Sequence, residues 1–147
     1  MALKVVIDTN IFLSIKNKEE PFNVASRELL DKIDGGTLKG IVSTIVVAEM
    51  CSGYHASGEL REKEEFLTHI LTSPNYKVVD VTATIADEAG RIRASTGLRL
   101  PDSVIVATGL KENADYLVTY DDTLRKGEKV IKIASAKELL ARLRSRK

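Results

Sequence analysis

Apolar residues along this chain fall into two patterns, short β-branched runs and longer segments that carry a single apolar stripe. The short runs predict buried strands, and the striped segments predict amphipathic helices. The predicted strands are Leu3–Ile7 and residues 40–43, 76–81, 116–119 and 129–133. The predicted helices are residues 10–16, 22–34, 44–54, 59–71, 82–95 and 101–112, with a last helix that starts at Ser135.

Local signals support several of these boundaries. Gly35 and Gly36 stop the second helix, and Pro101 lies in the first turn of a helix, where proline is well tolerated. The last helix begins with Ser-Ala-Lys-Glu, a capping box in which Ser135 and Glu138 satisfy each other's backbone N–H groups.

The alternation of strands and helices predicts the fold class. Strands separated by helices of this length need crossover connections, so the sheet should be mainly parallel, with helices on both faces. We therefore expect a three-layer α/β/α fold in one domain that spans residues 1–147. In such sheets, ligands bind beyond the carboxyl ends of the strands, near the point where the strand order reverses.

Composition narrows the function classes. The 147 residues are 44% hydrophobic and 29% charged, no apolar stretch is long enough to span a bilayer, and the N-terminal residues lack the pattern of a secretion signal. Cys51 is the only cysteine, which excludes an internal disulfide and cysteine-based zinc sites. These features predict a cytoplasmic protein with no membrane association. The net charge of +1 says nothing about partners, and a basic group at Arg91, Arg93 and Arg99 is equally well explained as a solvated helix face.

Four acidic residues stand where acids are costly or well placed for chemistry. Asp8 directly follows the first strand, and Asp121 lies two residues beyond Thr119 at the end of the fourth. Asp102 follows Pro101 in the first turn of a helix, where free N–H groups favour negative charge. Glu49 is the only charged residue in an apolar helical segment, where burial of a charge requires a partner or a metal.

Each acid also has a purely structural interpretation. Asp8 and Asp102 could cap the helices that they begin, and Asp121 with Asp122 could form a turn. Glu49 lies in no turn and on no evident polar stripe. A cluster of carboxylates without a basic partner in the same motifs calls for a cation, and oxygen ligands with few histidines favour Mg²⁺ or Mn²⁺ over zinc. Such a site suits phosphodiester hydrolysis with one or two ions.

The motifs, in order, resemble those of the PIN domain family, and more narrowly the VapC-type toxins of toxin–antitoxin pairs. The matching segments are V-V-I-D-T-N, an apolar helix with A-E, L-P-D-S-V-I-V-A-T, and L-V-T-Y-D-D-T-L. The resemblance covers essentially the whole chain. It implies a parallel sheet of about five strands and a Mg²⁺- or Mn²⁺-dependent endoribonuclease that cuts RNA. It also implies a small antitoxin partner and a homodimer.

By position, the resemblance makes four carboxylates both the catalytic residues and the metal ligands: Asp8, Glu49, Asp102 and Asp121. Thr9 and Thr119 match small hydroxyl positions that would orient these carboxylates. Asn10 and Ser103 would contact the metal ligands and help to hold them in place, without binding the metal themselves. Two positions depart from the common pattern: Ser103 replaces an alanine, and Tyr120 replaces an asparagine. Asp122 competes with Asp121 for the same role.

Other functions remain open at this point. An aspartyl-phosphate phosphatase needs a second acid where this chain has Asn10, and a receiver domain needs an acidic pair after the first strand. A non-toxin RNA-processing PIN nuclease fits the same motifs. So does a PIN-like module that binds RNA or a protein without cleavage, although the four acids argue against it.

Overall fold

The first strand, β1 (Leu3–Ile7), lies in the middle of the sheet, and its last three residues have no exposed surface. The computed structural model describes residues 2–146. The other strands are β2 (Leu38–Ser43), β3 (Tyr76–Val79), β4 (Tyr116–Val118) and β5 (Ile133–Ala134). All neighbouring strands pair in parallel, in the order β3-β2-β1-β4-β5. The predicted parallel sheet of five strands is confirmed.

Seven helices connect and follow these strands in the described part of the chain. They are α1 (Thr9–Lys16), α2 (Phe22–Asp34), α3 (Thr44–Ser57), α4 (Leu60–Thr72), α5 (Ala83–Thr96), α6 (Leu100–Lys111) and α7 (Ala136–Ser145). The helix α7 begins with the predicted capping box between Ser135 and Glu138. None of the helices within residues 2–146 has the length and apolar character that a membrane span requires.

The strand order reverses between β1 and β4. The connections from β1 to β2 and from β3 to β4 run in opposite directions across the sheet, so right-handed crossovers place their helices on opposite faces. The carboxyl ends of β1 and β4 therefore border the crevice in which this fold class binds ligands.

A close helix–strand contact fixes the position of α6. Gly109 faces β1, and a Cβ atom at this position would lie 2.7 Å from Cγ1 of Val6. A residue with a side chain would push the helix away from the sheet. Because α6 carries Asp102 in its first turn, this contact also sets where that carboxylate lies relative to β1.

The predicted strand at residues 129–133 is wrong in its bounds. A 3₁₀ helix at Asp122–Gly127 leads into a turn in which the N–H groups of Val130 and Ile131 both donate to the carbonyl of Gly127. The chain reaches the sheet only at β5. The sequence V-I-K-I was apolar enough for a strand, but burial of Ile131 in the turn accounts for part of that pattern. The strand predicted at residues 76–81 ends earlier, at Val79.

Candidate active site

Asp8 is a buried carboxylate at the point where β1 gives way to α1. Its side chain is 6% exposed, and Oδ1 accepts a hydrogen bond from the backbone N–H of Thr9 at 2.8 Å. It is thus also the N-cap of α1, as the structural interpretation predicted. Loss of hydration raises the pKa of Asp8 from 3.8 to about 6, despite hydrogen bonds that favour the charged form. The charges of Asp102 and Glu49 contribute to the rise, so these two acids lie within electrostatic reach of Asp8.

A hydrogen-bond chain joins Asp8 to the end of β4. The hydroxyl of Thr119 donates to Oδ2 of Asp8 at 2.7 Å. The same oxygen of Thr119 accepts bonds from the side-chain amide of Asn10 at 3.1 Å and from the backbone N–H of Asp121 at 2.9 Å. Asn10 also accepts a bond from the backbone N–H of Tyr120 at 3.1 Å. The orientation of the Asp8 carboxylate therefore depends on two segments that are more than a hundred residues apart.

Glu49 faces the start of α1 and is held by Thr9, whose hydroxyl donates to Oε1 at 2.7 Å. The expectation that Glu49 is buried in an apolar helix is wrong, because its side chain is exposed. The buried stripe of α3 consists of Val46, Met50 and Tyr54, and Glu49 lies beside this stripe. The second carboxylate oxygen, Oε2, has no hydrogen-bond partner among the described residues.

Asp102 is 4% exposed and pairs with an arginine that precedes it by three residues. The Nε atom of Arg99 lies 3.2 Å from Oδ2 of Asp102, and Nη2 lies 3.5 Å from Oδ1. The expectation that the acids lack a basic partner is therefore wrong. The hydrogen bond and the charge attraction between Arg99 and Asp102 raise the pKa of Arg99, and Asp121 and Glu49 attract this guanidinium more weakly.

Ser103 makes no hydrogen bond to any of the four acids. Its hydroxyl donates to the carbonyl of Arg99 at 3.0 Å and, more weakly, to that of Leu98. It therefore closes the first turn of α6 and does not touch a carboxylate directly. This contact holds the backbone of the residue that pairs with Asp102.

Asp121 and Asp122 differ in environment. Oδ1 of Asp121 accepts bonds from the N–H and the hydroxyl of Thr123, at 2.9 and 2.8 Å, so this acid caps the 3₁₀ helix. The side chain of Asp122 is fully exposed and lies 4.0 Å from Arg125. Asp121 borders a cavity of about 360 Å³ together with Asp102, and Asp122 does not.

These positions bring the four acids to one edge of the sheet without assembling them around one point. The charges of Asp102 and Glu49 both act on Asp8, and Asp102 and Asp121 line the same cavity. Within residues 2–146, no three histidine, cysteine, aspartate or glutamate side chains are spaced to hold one ion between them. In this conformation Arg99 occupies the oxygens of Asp102, and Thr123 occupies one oxygen of Asp121.

The donor chemistry nevertheless fits a hard divalent cation. All four side chains offer carboxylate oxygens, and two of them, Asp8 and Asp102, are buried at the same edge with a mutual repulsion that a cation would remove. Binding by all four would require Asp102 to loosen its contact with Arg99, whereas Oδ2 of Asp121 accepts no hydrogen bond among the described residues.

Sequence reasoning missed the pairing of Arg99 with Asp102, because it considered Arg99 only as part of a basic group for nucleic acid or of a solvated helix face. The signal was its position three residues before Asp102, at the N-cap of a helix whose first turn contains Pro101. Residues at this spacing in a helical turn can pair. Lys126, which borders the same cavity as Asp102, was also missed, and no local pattern marked it.

Comparisons with known proteins give one family and a set of related folds. The PIN domain model matches residues 5–130. No curated protein sequence matches significantly. Three solved structures illustrate the similarity in fold, each at 20% identity or less.

VapBC2 from Rickettsia felis, bound to a promoter DNA fragment, has a TM-score of 0.70 at 20% identity and covers 90% of this chain and 98% of its own. A toxin–antitoxin complex from Klebsiella pneumoniae has a TM-score of 0.68 at 17% identity, with 90% and 97% covered. PAE2754 from Pyrobaculum aerophilum has a TM-score of 0.66 at 19% identity, with 99% and 98% covered. These likenesses concern the fold. The family model matches most of the chain, and this protein belongs to the PIN domain family.

Proposed function

We propose that this protein is a Mg²⁺- or Mn²⁺-dependent endoribonuclease that hydrolyses RNA phosphodiester bonds, and that it is the toxin of a VapBC-type pair in the cytoplasm. The observation that carries the nuclease proposal is the buried Asp8 carboxylate at the reversal of strand order, within reach of two further acids. Membership of the PIN domain family supports it.

In this proposal, Asp8, Glu49, Asp102 and Asp121 hold one or two ions. An ion held by these carboxylates would supply an activated water as nucleophile and charge stabilisation at the leaving oxygen. Thr119 fixes the rotation of the Asp8 carboxylate through Oδ2, and Thr9 fixes Glu49 through Oε1. Oε2 of Glu49, which makes no hydrogen bond among the described residues, would be available to bind the ion or to accept a proton from water.

The test is cleavage of single-stranded and structured RNAs in Mn²⁺ and in EDTA. We expect Asp8→Asn to reduce the cleavage rate by at least about a hundredfold, because neutralisation of a buried ligand perturbs the bound ion. Asp80→Asn is the matched control, since Asp80 follows β3 at the same sheet edge but is exposed. Equal rates in EDTA and Mn²⁺, or equal losses in the two variants, would contradict the proposal.

One observation favours a second candidate, a PIN-like module that binds RNA or protein without cleavage. Asp102 is already neutralised by Arg99, and no ready-made set of three ligands exists within the described residues. The same assay separates the two functions, because a non-cleaving module would bind RNA but leave it intact in Mn²⁺. A non-toxin processing nuclease would cleave RNA but lack a neighbouring antitoxin gene.

The proposed partners are a small antitoxin protein and a second copy of this chain. The related Rickettsia felis and Klebsiella pneumoniae structures are described as a VapBC protein and a toxin–antitoxin complex. We expect the antitoxin to place an arginine or lysine near Asp8 and Asp102. At Asp102, this side chain must either displace Arg99 or bind the carboxylate beside it. Co-purification with the product of the neighbouring gene tests the first partner, and light scattering of the purified protein tests the homodimer. A complex whose contacts avoid the four acids would contradict the expected position of the antitoxin.

A further inference from the structure

The cavity beside Asp102 and Asp121 is lined by cationic as well as anionic side chains. Arg99 and Lys126 contribute the positive charges, and Gly97 and Thr123 also face it. The cavity has a volume of about 360 Å³, and two of the four acids, Asp102 and Asp121, line it.

The two cations are available to a ligand in different ways. The side chain of Arg99 is 72% exposed although its guanidinium contacts Asp102. Lys126 lies in the last turn of the 3₁₀ helix, is exposed, and makes no ion pair or side-chain hydrogen bond within residues 2–146. An unpaired lysine next to a planar guanidinium is a combination that suits a phosphate group, since both donate to its oxygens.

The small residues leave room for such a group. A Cβ atom at Gly97 would meet nothing within 4 Å, so the wall at this position is open. The two acids in the cavity would repel an anion while they are charged. A cation bound to the acids would remove that repulsion and would also release Arg99 from Asp102.

We propose that Arg99 and Lys126 bind a backbone phosphate of RNA that neighbours the phosphate to be cleaved. The inference rests on the proposed function, because the acids next to this subsite must be neutralised before an anion enters. The subsite holds the strand in place across the four acids. Its two residues are positioning residues, which contact the substrate away from the bond that breaks.

The experiment measures binding without cleavage. The background is the double variant Asp102→Asn and Asp121→Asn, in which both acids that line the cavity are neutral and Arg99 has lost its partner. A fluorescently labelled single-stranded RNA oligonucleotide is titrated with this protein in EDTA, and anisotropy is recorded at several salt concentrations. Arg99→Gln and Lys126→Gln are then introduced singly, and Lys111→Gln is the matched control. Lys111 is an exposed lysine at the far end of α6 from Asp102.

We expect Arg99→Gln and Lys126→Gln each to weaken binding by roughly three- to tenfold and to reduce the salt slope by about 0.7, the value for one lost phosphate contact on a single strand. Arg99→Lys and Lys126→Arg keep the charge and should retain most of the affinity. Lys111→Gln should leave the affinity and slope almost unchanged. If either Gln variant matches Lys111→Gln in both quantities, the two-cation subsite is overturned.

The outcome is separable from that of the nuclease proposal. If wild-type protein cleaves RNA in Mn²⁺ but the Gln variants bind like the control, the subsite alone fails. If the binding losses appear but wild-type protein never cleaves RNA, the subsite stands and the nuclease function fails.

Discussion

The hydroxyl of Thr119 and the carboxylate of Asp8 form a 2.7 Å hydrogen bond that joins the ends of β4 and β1. Both residues are buried, so the bond has little competition from water. It connects two acids of the proposed site, because Asp8 follows β1 and the backbone N–H of Asp121 donates to the same Thr119 oxygen after β4.

Replacement of Thr119 by Val removes this donor while it keeps the side-chain shape. We expect Thr119→Val to lower RNA cleavage by about ten- to a hundredfold, as loss of a ligand's hydrogen-bond partner typically does. It should also raise the pKa of Asp8 further, since the bond to Thr119 favours the charged form. Thr108→Val is the control, because Thr108 is equally buried but donates only to the carbonyl of Val104. Equal rates in the two variants would contradict the role of Thr119.

The raised pKa of Asp8 predicts how stability depends on pH. The folded protein, with a pKa of about 6, holds this proton more tightly than the unfolded chain, with an ordinary value of 3.8. The contribution of Asp8 to the free energy of unfolding of the metal-free protein should therefore fall as the pH rises from about 4 to 6, by about 2 to 3 kcal/mol at 1.4 kcal/mol per unit of pKa. Above the folded-state pKa, the destabilisation that comes from charged Asp8 no longer changes with pH.

Asp8→Asn isolates this contribution from other titrating groups. The difference in unfolding free energy between Asp8→Asn and wild type, measured by urea denaturation in EDTA, should grow from pH 4 to pH 6.5 and then level off. Asn offers one acceptor oxygen where Asp8 accepts from both Thr9 and Thr119, which adds an offset that does not change with pH. A difference that stays flat, or that shrinks as the pH rises, would mean that Asp8 is not held as described.

Arg99 should compete with divalent metal for Asp102. We expect Arg99→Gln to destabilise the metal-free protein by about 1 kcal/mol, a modest value because Arg99 is largely exposed. Addition of millimolar Mn²⁺ should then raise the melting temperature of this variant more than that of wild type, since a freed carboxylate binds the ion better. Asp102→Asn also removes this ion pair, and Asp8→Asn removes none. We therefore expect Asp102→Asn not to stabilise the metal-free protein in the way that neutralisation of Asp8 should.

The matched control for this prediction is Arg91→Gln. Arg91 pairs with Glu88 at the same three-residue spacing, on the exposed face of α5. Its Mn²⁺ response should equal that of wild type. A response of Arg99→Gln no larger than that of Arg91→Gln would show that Arg99 does not compete with the metal ion for Asp102.

Asp121 and Asp122 should differ strongly in their effect on cleavage. We expect Asp121→Asn to lower the rate by at least about a hundredfold and Asp122→Asn by less than about threefold, because only the first borders the cavity with Asp102. Both variants are measured with saturating Mn²⁺ on the same RNA. Losses of equal size would show that the choice of Asp121 over Asp122 as the fourth ligand is wrong.

The contact between Gly109 and Val6 predicts a difference between two glycines in helices. Gly109→Ala should destabilise the protein by about 1 to 3 kcal/mol, because the new methyl group overlaps Val6 at 2.7 Å. Gly90→Ala in α5, where nothing lies within 4 Å, should instead stabilise by about 0.5 to 1 kcal/mol through helix propensity. Thermal or urea denaturation of the two variants measures both signs. A Gly109→Ala protein as stable as Gly90→Ala would mean that α6 does not lie this close to β1.

The parts of the fold that local physics determines could be predicted from the sequence. The strand that ends at Asp8 and the capping box at Ser135 depend on neighbouring residues alone, and both are present in the structure. The strand at residues 129–133 could not be predicted correctly, because the same apolar residues can be buried in a turn.

The site was harder to predict than the fold. Its location at the ends of β1 and β4 follows from the strand order, whereas the sequence pattern indicated only that Asp8 and Asp121 follow strands of a parallel sheet. The exposure of Glu49 and the pairing of Arg99 with Asp102 depend on how α3 and α6 rotate about their axes, and a mean hydropathy pattern does not resolve such rotations. For the same reason, the short motifs around Asp102 and Asp121 did not indicate that Arg99 and Lys126 lie beside these acids.

The partnership between Asp8 and Thr119 spans 111 residues and has a consequence for synthesis on the ribosome. While the chain emerges, β1 has β2 beside it long before β4 is made, so one edge of β1 remains unpaired. A nascent or truncated chain that ends before Thr119 lacks both the strand that covers this edge and the hydroxyl that orients Asp8. Any prematurely released fragment would therefore carry the first acids without a working site, and activity would appear only when translation is nearly finished. Under the proposed ribonuclease function, the protein would thus be unable to cleave RNA for most of the time that the ribosome is making it.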